Sequence, residues 1–236
     1  VELFESFCKR RGGDLYAFLY RECGLDEAQI APAVRYQIST GEALDAEHTL
    51  KDIQRFMRDA QGNAYIPGSS LKGALRTALL YQMIAKEEPQ RRQAAVSRFL
   101  EIPLDRRNEK YLGLPEANYL HVLGLDAQKT ANAVNSLMRG IQVSDSKPIP
   151  DQAMTLVMKQ DGSTAGQVHT VNLCRECVAP GTQVPFRLTL DQSILKNRIT
   201  MQSILSAINA FAAYYRQTYE SHFARPYGTL DPGLKN

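Results

Sequence analysis

An α+β fold, as one large domain or two small ones, is predicted from three features of the 236-residue sequence. Helical and strand periodicities are mixed without the strict alternation of a doubly wound sheet. Hydrophobic residues make up 44% and charged residues 22%, enough apolar material for a sizeable core. Two strong helical patterns, one opening near Gly68 and one at Thr200, stand on either side of segments rich in β-branched and alternating residues.

Leu3, Phe4, Phe7, Leu15, Phe18 and Leu19 recur at roughly helical spacing and Gly12-Gly13 interrupts them, which predicts two short helices. Cys23-Gly24 closes the second, and Asp26 is placed as the N-cap of a further helix running to about residue 34, with Pro32 near its end. Residues 39–47 are polar and predicted irregular. Residues 55–58 and 64–66 read as brief extended pieces around the turn Asp59-Ala60-Gln61-Gly62-Asn63. Pro67-Gly68-Ser69-Ser70 is the clearest boundary, because Pro and Gly break the preceding extended piece while a serine can cap a helix after it. The long helix it opens carries Leu71, Ala74, Leu75, Ala78, Leu79 and Met83 on one face, with Lys72 and Arg76 together on another. A helix beyond Pro89 precedes the charged run 105–110, and Thr130 is expected to cap a short helix to Met138. Residues 141–144, 154–158 and 186–191 have strand patterns, with a loop over 162–166. Thr200 caps a last helix on which Ile204, Leu205, Ile208, Phe211, Ala212 and Tyr215 build an apolar stripe.

Composition bounds the function. The net charge of +3, from 28 basic and 25 acidic residues, gives no global field that would imply nucleic acid, so any basic surface must be local. No apolar run approaches the roughly 18 residues that span a bilayer. Four cysteines without a secretory signal make a reducing cytoplasm the expected compartment. Cys174 and Cys177 have C-x-x-C spacing, but zinc needs a second pair and Cys8 and Cys23 are fifteen apart, which favours structural cysteines over a metal site. The chain opens on Val1 and directly in a helical pattern, so a fragment of a longer protein is an expectation.

The best chemical signal is the segment Tyr65-Ile66-Pro67-Gly68-Ser69-Ser70-Leu71-Lys72-Gly73. A helix N-terminus offers unpaired N–H groups and about half a positive charge, two hydroxyls lie beside it, and Lys72 and Arg76 fall within two turns. That combination can cradle a phosphate, and a well-capped helix with two solvated bases accounts for the same residues. It is not a nucleotide-binding P-loop, because Lys72 precedes Gly73 where that motif needs the reverse order. Arg55 and Arg58, just upstream, extend the basic track or form the solvated edge of a strand.

Residues 65–80 resemble the Ile-Pro-Gly-Ser-Ser-Leu-Lys-Gly helix motif of the RAMP superfamily, the RNA-binding subunits of CRISPR effector complexes. The helix from Leu71 to Leu80 is most similar to that of the subunit that caps the crRNA 3′ end in type III-A (Csm) complexes. The stretches 137–146 and 174–182 and the strand after them agree, so the likeness covers most of residues 50–215. It implies a ferredoxin-like (RRM-like) core with helical insertions: a helical segment over 1–50, then the RAMP core over 51–236 with an insertion at about 86–135. The family's opening strand with its glycine turn, and its closing glycine-rich loop and strand, have no counterpart in the sequence, so the terminal strands are expected to be missing.

The resemblance further implies a crRNA-binding, assembly-supporting role in the cytoplasm with no cofactor or metal. Its partners would be crRNA, target RNA, a neighbouring RAMP backbone subunit and host nucleases that trim the guide. Ser69, Ser70, Lys72 and Arg76 match the helix that lies along the guide backbone, and Arg139 before Gly140 matches a family position that packing or RNA contact would explain. An enzyme is not expected. The four histidines are scattered, and Asp45, Asp52 and Asp59, which precede the serine motif, have no convincing catalytic setting. A RAMP endoribonuclease and a protein-only assembly subunit stay as alternatives. Asp145, between two serines, is expected in an Asx turn, and Tyr215 in a helix stripe, although Tyr214, Tyr215, Tyr219 and Tyr227 have the chemistry to stack on bases.

Overall fold

The computed structural model describes residues 15–41, 43, 52–101, 114–162 and 168–221. The expected helix over Leu3, Phe4 and Phe7, the charged run 105–110, and most of the loop after Gly162 lie outside them. Helix α1 is Leu15–Ala17, continued with π-helical bonding over Phe18–Glu22, and Gly24 stops it with a φ of +63°. Asp26 then caps α2 (Glu27–Ile30): its carboxylate accepts from the Gln29 amide, and the Gln29 side chain accepts from the Asp26 amide in return. A 3-10 turn through Pro32 comes next.

The expected strand over 55–58 is displaced toward the N-terminus. Strand β1 is Asp52–Gln54, and Arg58 makes only a single bridge to Ala64 across the Asp59–Asn63 turn. Helices α3 (Gly68–Ala85), α4 (Pro89–Leu100) and α5 (Leu114–Tyr119) come after it. Between α5 and β2 (Ile141–Val143) the chain forms two 3-10 turns, capped by Asn132 and Ser136 and not by Thr130. Short polar side chains two residues before an amide satisfy it without a full helix, which is why no longer helix forms there. Strands β3 (Met154–Gly162) and β4 (Val168–Val178) make a hairpin, and β5 is only Leu188–Leu190, shorter than the six-residue alternation predicts. Helix α6 (Gln192–Leu195) leads to α7 (Met201–Tyr215), whose Thr200–Ser203 capping box fulfils the expectation for Thr200.

Among the described residues the strands form two sheets. One has the order β1-β4-β3, with β1 parallel to β4 and β3 antiparallel to it; the other is the antiparallel pair β2-β5. The main core lies where α3 and α7 pack over β2 and β5, with Leu79, Leu120, Ile141, Leu195 and Ile204 at its centre. Two smaller clusters, one around Leu156 and Cys174 and one around Ala64, Ile149 and Met154, sit on the three-stranded sheet. Cys174 is buried while Cys177, three residues on in an extended strand, falls on the opposite face, so the pair does not converge on one ion. No helix of the described residues is long and apolar enough to cross a membrane.

Candidate RNA interface

Helix α3 begins without a cap of its own. Pro67 is the N-cap in an extended conformation, and neither of the two serines closes the turn, contrary to the expected serine cap. The cap comes instead from Asp145, whose Oδ1 accepts a 2.7 Å hydrogen bond from the Gly68 amide. This assigns Asp145 a long-range role in place of the local Asx turn expected for it. A carboxylate at a helix start satisfies an orphan N–H and meets the positive end of the dipole. It also takes part of the anion-binding capacity of that terminus.

Gly68 is buried because the helix start touches β2: a Cβ there would lie 2.4 Å from the Val143 carbonyl oxygen. The Ile66 amide donates to Ser146 Oγ at 2.9 Å, and the Ser146 amide donates to the Ile66 carbonyl at 2.9 Å. These bonds fix the first turn of α3 and leave Ser69 and Ser70 exposed. Lys72 is half-buried and has no ion pair among the described residues.

The remaining predicted contacts separate. Arg76, which the sequence presents as a solvated companion of Lys72, is paired through Nε to Glu116 Oε1 at 3.0 Å and so ties α3 to α5. Both side chains are partly solvated, so the pair is weak and open to exchange. Arg55 is exposed just after β1. Arg58 does not continue a track with it. Its guanidinium is 10% exposed, donates to Asp151 Oδ1 at 2.9 Å and to the Gly62 carbonyl at 2.8 Å, and lies 3.4 Å above the Tyr36 ring. Glu176, buried on β4, faces Arg58 at 3.5 Å and accepts from the Tyr36 hydroxyl at 2.7 Å and the Phe56 amide at 3.0 Å. Burial works against the charge on Arg58, while the Asp151 hydrogen bond and the Glu176 carboxylate favour it, and the balance is upward. Burial and the hydrogen bond to Glu176 raise the Tyr36 hydroxyl. Arg58 is therefore an internal cross-link.

Arg139 is exposed and donates to the Val134 carbonyl at 3.0 Å. Its neighbour Gly140 does the packing, since a Cβ there would lie 2.7 Å from Leu195 Cγ. Asp59, the last acidic residue before the serine motif in the chain, accepts from the Asn63 side chain and from the amides of Asn63 and Gln61, which lower its carboxyl pKa. Asp52 is exposed on β1, and Asp45 lies outside the described residues. Tyr215 is 44% exposed and stacks on Tyr219 with ring centroids 5.3 Å apart, so it does not belong to the buried stripe.

Sequence reading missed a groove of about 580 Å³ beside the start of α3, to which Ser144, Asp145, Lys147, Phe186 and Arg187 contribute. Its residues come from two segments some forty positions apart, and no local pattern joins them.

The chain is 31% identical over 147 residues to a Mycobacterium tuberculosis (strain ATCC 25618 / H37Rv) protein named CRISPR system Cms protein Csm5, a match covering 61% of this chain and 37% of that protein. It is 33% identical over 142 residues to the Streptococcus thermophilus protein of the same name, covering 59% and 34%. The matched stretch thus spans little more than a third of those relatives. The crystal structure of T. onnurineus Csm5 superposes with a TM-score of 0.64 at 20% identity, covering 97% of this chain and 71% of that one, a likeness of fold. The family model of the RAMP superfamily matches residues 30–204, which includes the Pro-Gly-Ser-Ser motif, β2 to β5 and the start of α7, and the chain belongs to the RAMP superfamily.

Proposed function

We propose that the chain is the crRNA-binding part of a type III-A CRISPR (Csm) ribonucleoprotein subunit. It caps the 3′ end of the guide and supports assembly and 3′-end maturation without cutting RNA itself. Its partners are crRNA, target RNA, a neighbouring RAMP backbone subunit and recruited nucleases, and it works in the cytoplasm. Membership of the RAMP superfamily and the likeness to proteins named Csm5 support the reading. The observation that carries it is the first turn of α3, where Ser69, Ser70 and Lys72, without an ion pair among the described residues, stand at the surface within the family match. Arg76 joins them when its exposed pair with Glu116 opens, and Arg55 and Arg139 add positive charge further along. Arg58 contributes by holding the Arg55 segment to the sheet.

The fold is read in the same terms. We read the order α3, β2, β5, α7, with both helices packed against the strand pair, as the centre of a ferredoxin-like core. Contact with RNA is sequence-tolerant, because phosphates are alike along a strand.

Exchanging Lys72 and Arg76 together for Ala is expected to weaken crRNA retention. The salt dependence of binding should flatten by about one to two units of log–log slope, at roughly 0.7 per phosphate contact. An unchanged slope on raising the salt severalfold would remove the phosphate contacts from the proposal.

A further inference from the structure

The groove beside α3 carries a second recognition element. Phe186 lies on the segment leading into β5 and is 46% exposed. The Lys147 amide donates to the Pro185 carbonyl at 2.9 Å, and the Arg187 amide donates to Ser144 Oγ at 2.9 Å. These two bonds clamp the 144–147 and 185–187 segments together and set Lys147 and Arg187 on neighbouring segments beside the ring. Both side chains are exposed, and neither has an ion pair among the described residues. The acid lining the groove, Asp145, has Oδ1 engaged by the Gly68 amide. The groove thus presents a half-exposed aromatic residue and two cations that no carboxylate of the described residues pairs, with the exposed Asp145 carboxylate, held by the Gly68 amide, at its α3 end.

We propose that this groove binds single-stranded RNA: one nucleobase stacks on Phe186 and the flanking phosphates pair with Lys147 and Arg187. The proposal rests on the RNA-binding reading above and deepens it. A stacked base covers a flat apolar surface that water covers poorly, and every base has a face suited to it. The free ammonium and guanidinium match a strand carrying one charge per nucleotide. Position argues for the same ligand, since Asp145 belongs both to the groove and to the cap of α3. A strand lying on Ser69, Ser70 and Lys72 would meet the groove at the Gly68–Asp145 contact.

The test uses the 236-residue chain and a 12-nucleotide single-stranded RNA of mixed sequence with a central 2-aminopurine. Wild-type chain should bind it and quench the 2-aminopurine fluorescence by stacking. Phe186→Ala should weaken binding about tenfold and abolish the quenching, whereas Phe186→Tyr should preserve both. Lys147→Ala with Arg187→Ala should leave the quenching measurable at saturation but lower the salt slope by about 1.4, at roughly 0.7 per contact. Phe186 is exposed, so its replacement leaves the fold intact, which a circular dichroism spectrum checks. If Phe186→Ala binds and quenches like wild type while Lys72→Ala weakens binding, the groove proposal falls and the RNA-binding reading stands. If the wild-type chain does not bind the RNA at any salt concentration, both fall.

Discussion

Arg58 and Lys72 show how burial decides what a basic residue does. Each comes after an extended segment and each is a reasonable phosphate ligand by sequence, yet Arg58 is enclosed by Tyr36, Asp151 and Glu176 while Lys72 has no anionic partner among the described residues. Arg58→Met would leave Glu176 as an uncompensated carboxylate in an environment only 6% exposed. Breaking one side of such a pair costs roughly 3–5 kcal/mol. Urea unfolding should register a loss of that size, whereas Lys72→Ala should change stability by less than about 0.5 kcal/mol and act on RNA binding alone. The motif around Lys72 is legible in the sequence because its signals are local: a break, two hydroxyls, then a base. The employment of Arg58 is not, since its carboxylate partners lie about a hundred residues further along the chain and nothing in the spacing announces them.

At the scale of elements, α7 is easy to find in the sequence and hard to orient. Its stripe of Ile204, Leu205, Ile208, Phe211, Ala212 and Tyr215 reads as one buried face, but the structure divides it. Ile204 is 1% exposed against α3 and β2, and Leu205 is 50% exposed. The helix Met201–Tyr215 contains no charged residue, so its apolar periodicity fixes a helix without selecting which side turns inward. Ile204→Ala is expected to cost about 2–4 kcal/mol through the cavity it leaves, and Leu205→Ala less than about 0.5 kcal/mol, in denaturant titrations of the two variants. Aspartates at turns and caps contribute to the acid sensitivity of the fold. The Ser193 side chain and amide lower the Asp191 carboxyl at the start of α6, the Lys129 amide and Asn132 lower Asp126, and Asn63 lowers Asp59. A carboxyl whose folded pKa is depressed contributes stability above its unfolded value, near 3.9, and loses it as pH falls through the folded value. Thermal midpoints should therefore be flat between about pH 5 and 7 and drop below about pH 4, and Asp191→Asn should shallow that drop.

At the largest scale, the described residues form two packed regions joined at the origin of α3. The helical region holds α3, α7 and the β2-β5 pair, and the three-stranded sheet holds the clusters around Leu156 and Met154. Ala64 bridges both Arg58 and Ile149, Ile66 and Ser146 exchange bonds, and Gly68 meets Asp145, all within one short crossing of segments 64–68 and 144–149. The glycines of the Pro-Gly-Ser-Ser-Leu-Lys-Gly motif, indistinguishable by sequence, have opposite duties at this joint. A Cβ on Gly68 would strike the Val143 and Ser144 backbone at 2.4–2.7 Å, which cannot turn away, while a Cβ on Gly73 meets open space in mid-helix. Gly73→Ala should stabilise by about 0.5–1 kcal/mol, because alanine loses less entropy in a helix. Gly68→Ala should destabilise by about 1–3 kcal/mol, because α3 must lift off β2. The crossing makes the second effect global. Cys174 is 1% exposed in the sheet region, far along the chain from Gly68, and its thiol reports opening of that region alone. In Gly68→Ala, the urea dependence of Cys174 alkylation, read by peptide mass, should shift together with the helical circular dichroism. A shift of the helical signal with Cys174 protection unchanged would mean that the crossing does not couple the regions and that the start of α3 moves independently of the sheet.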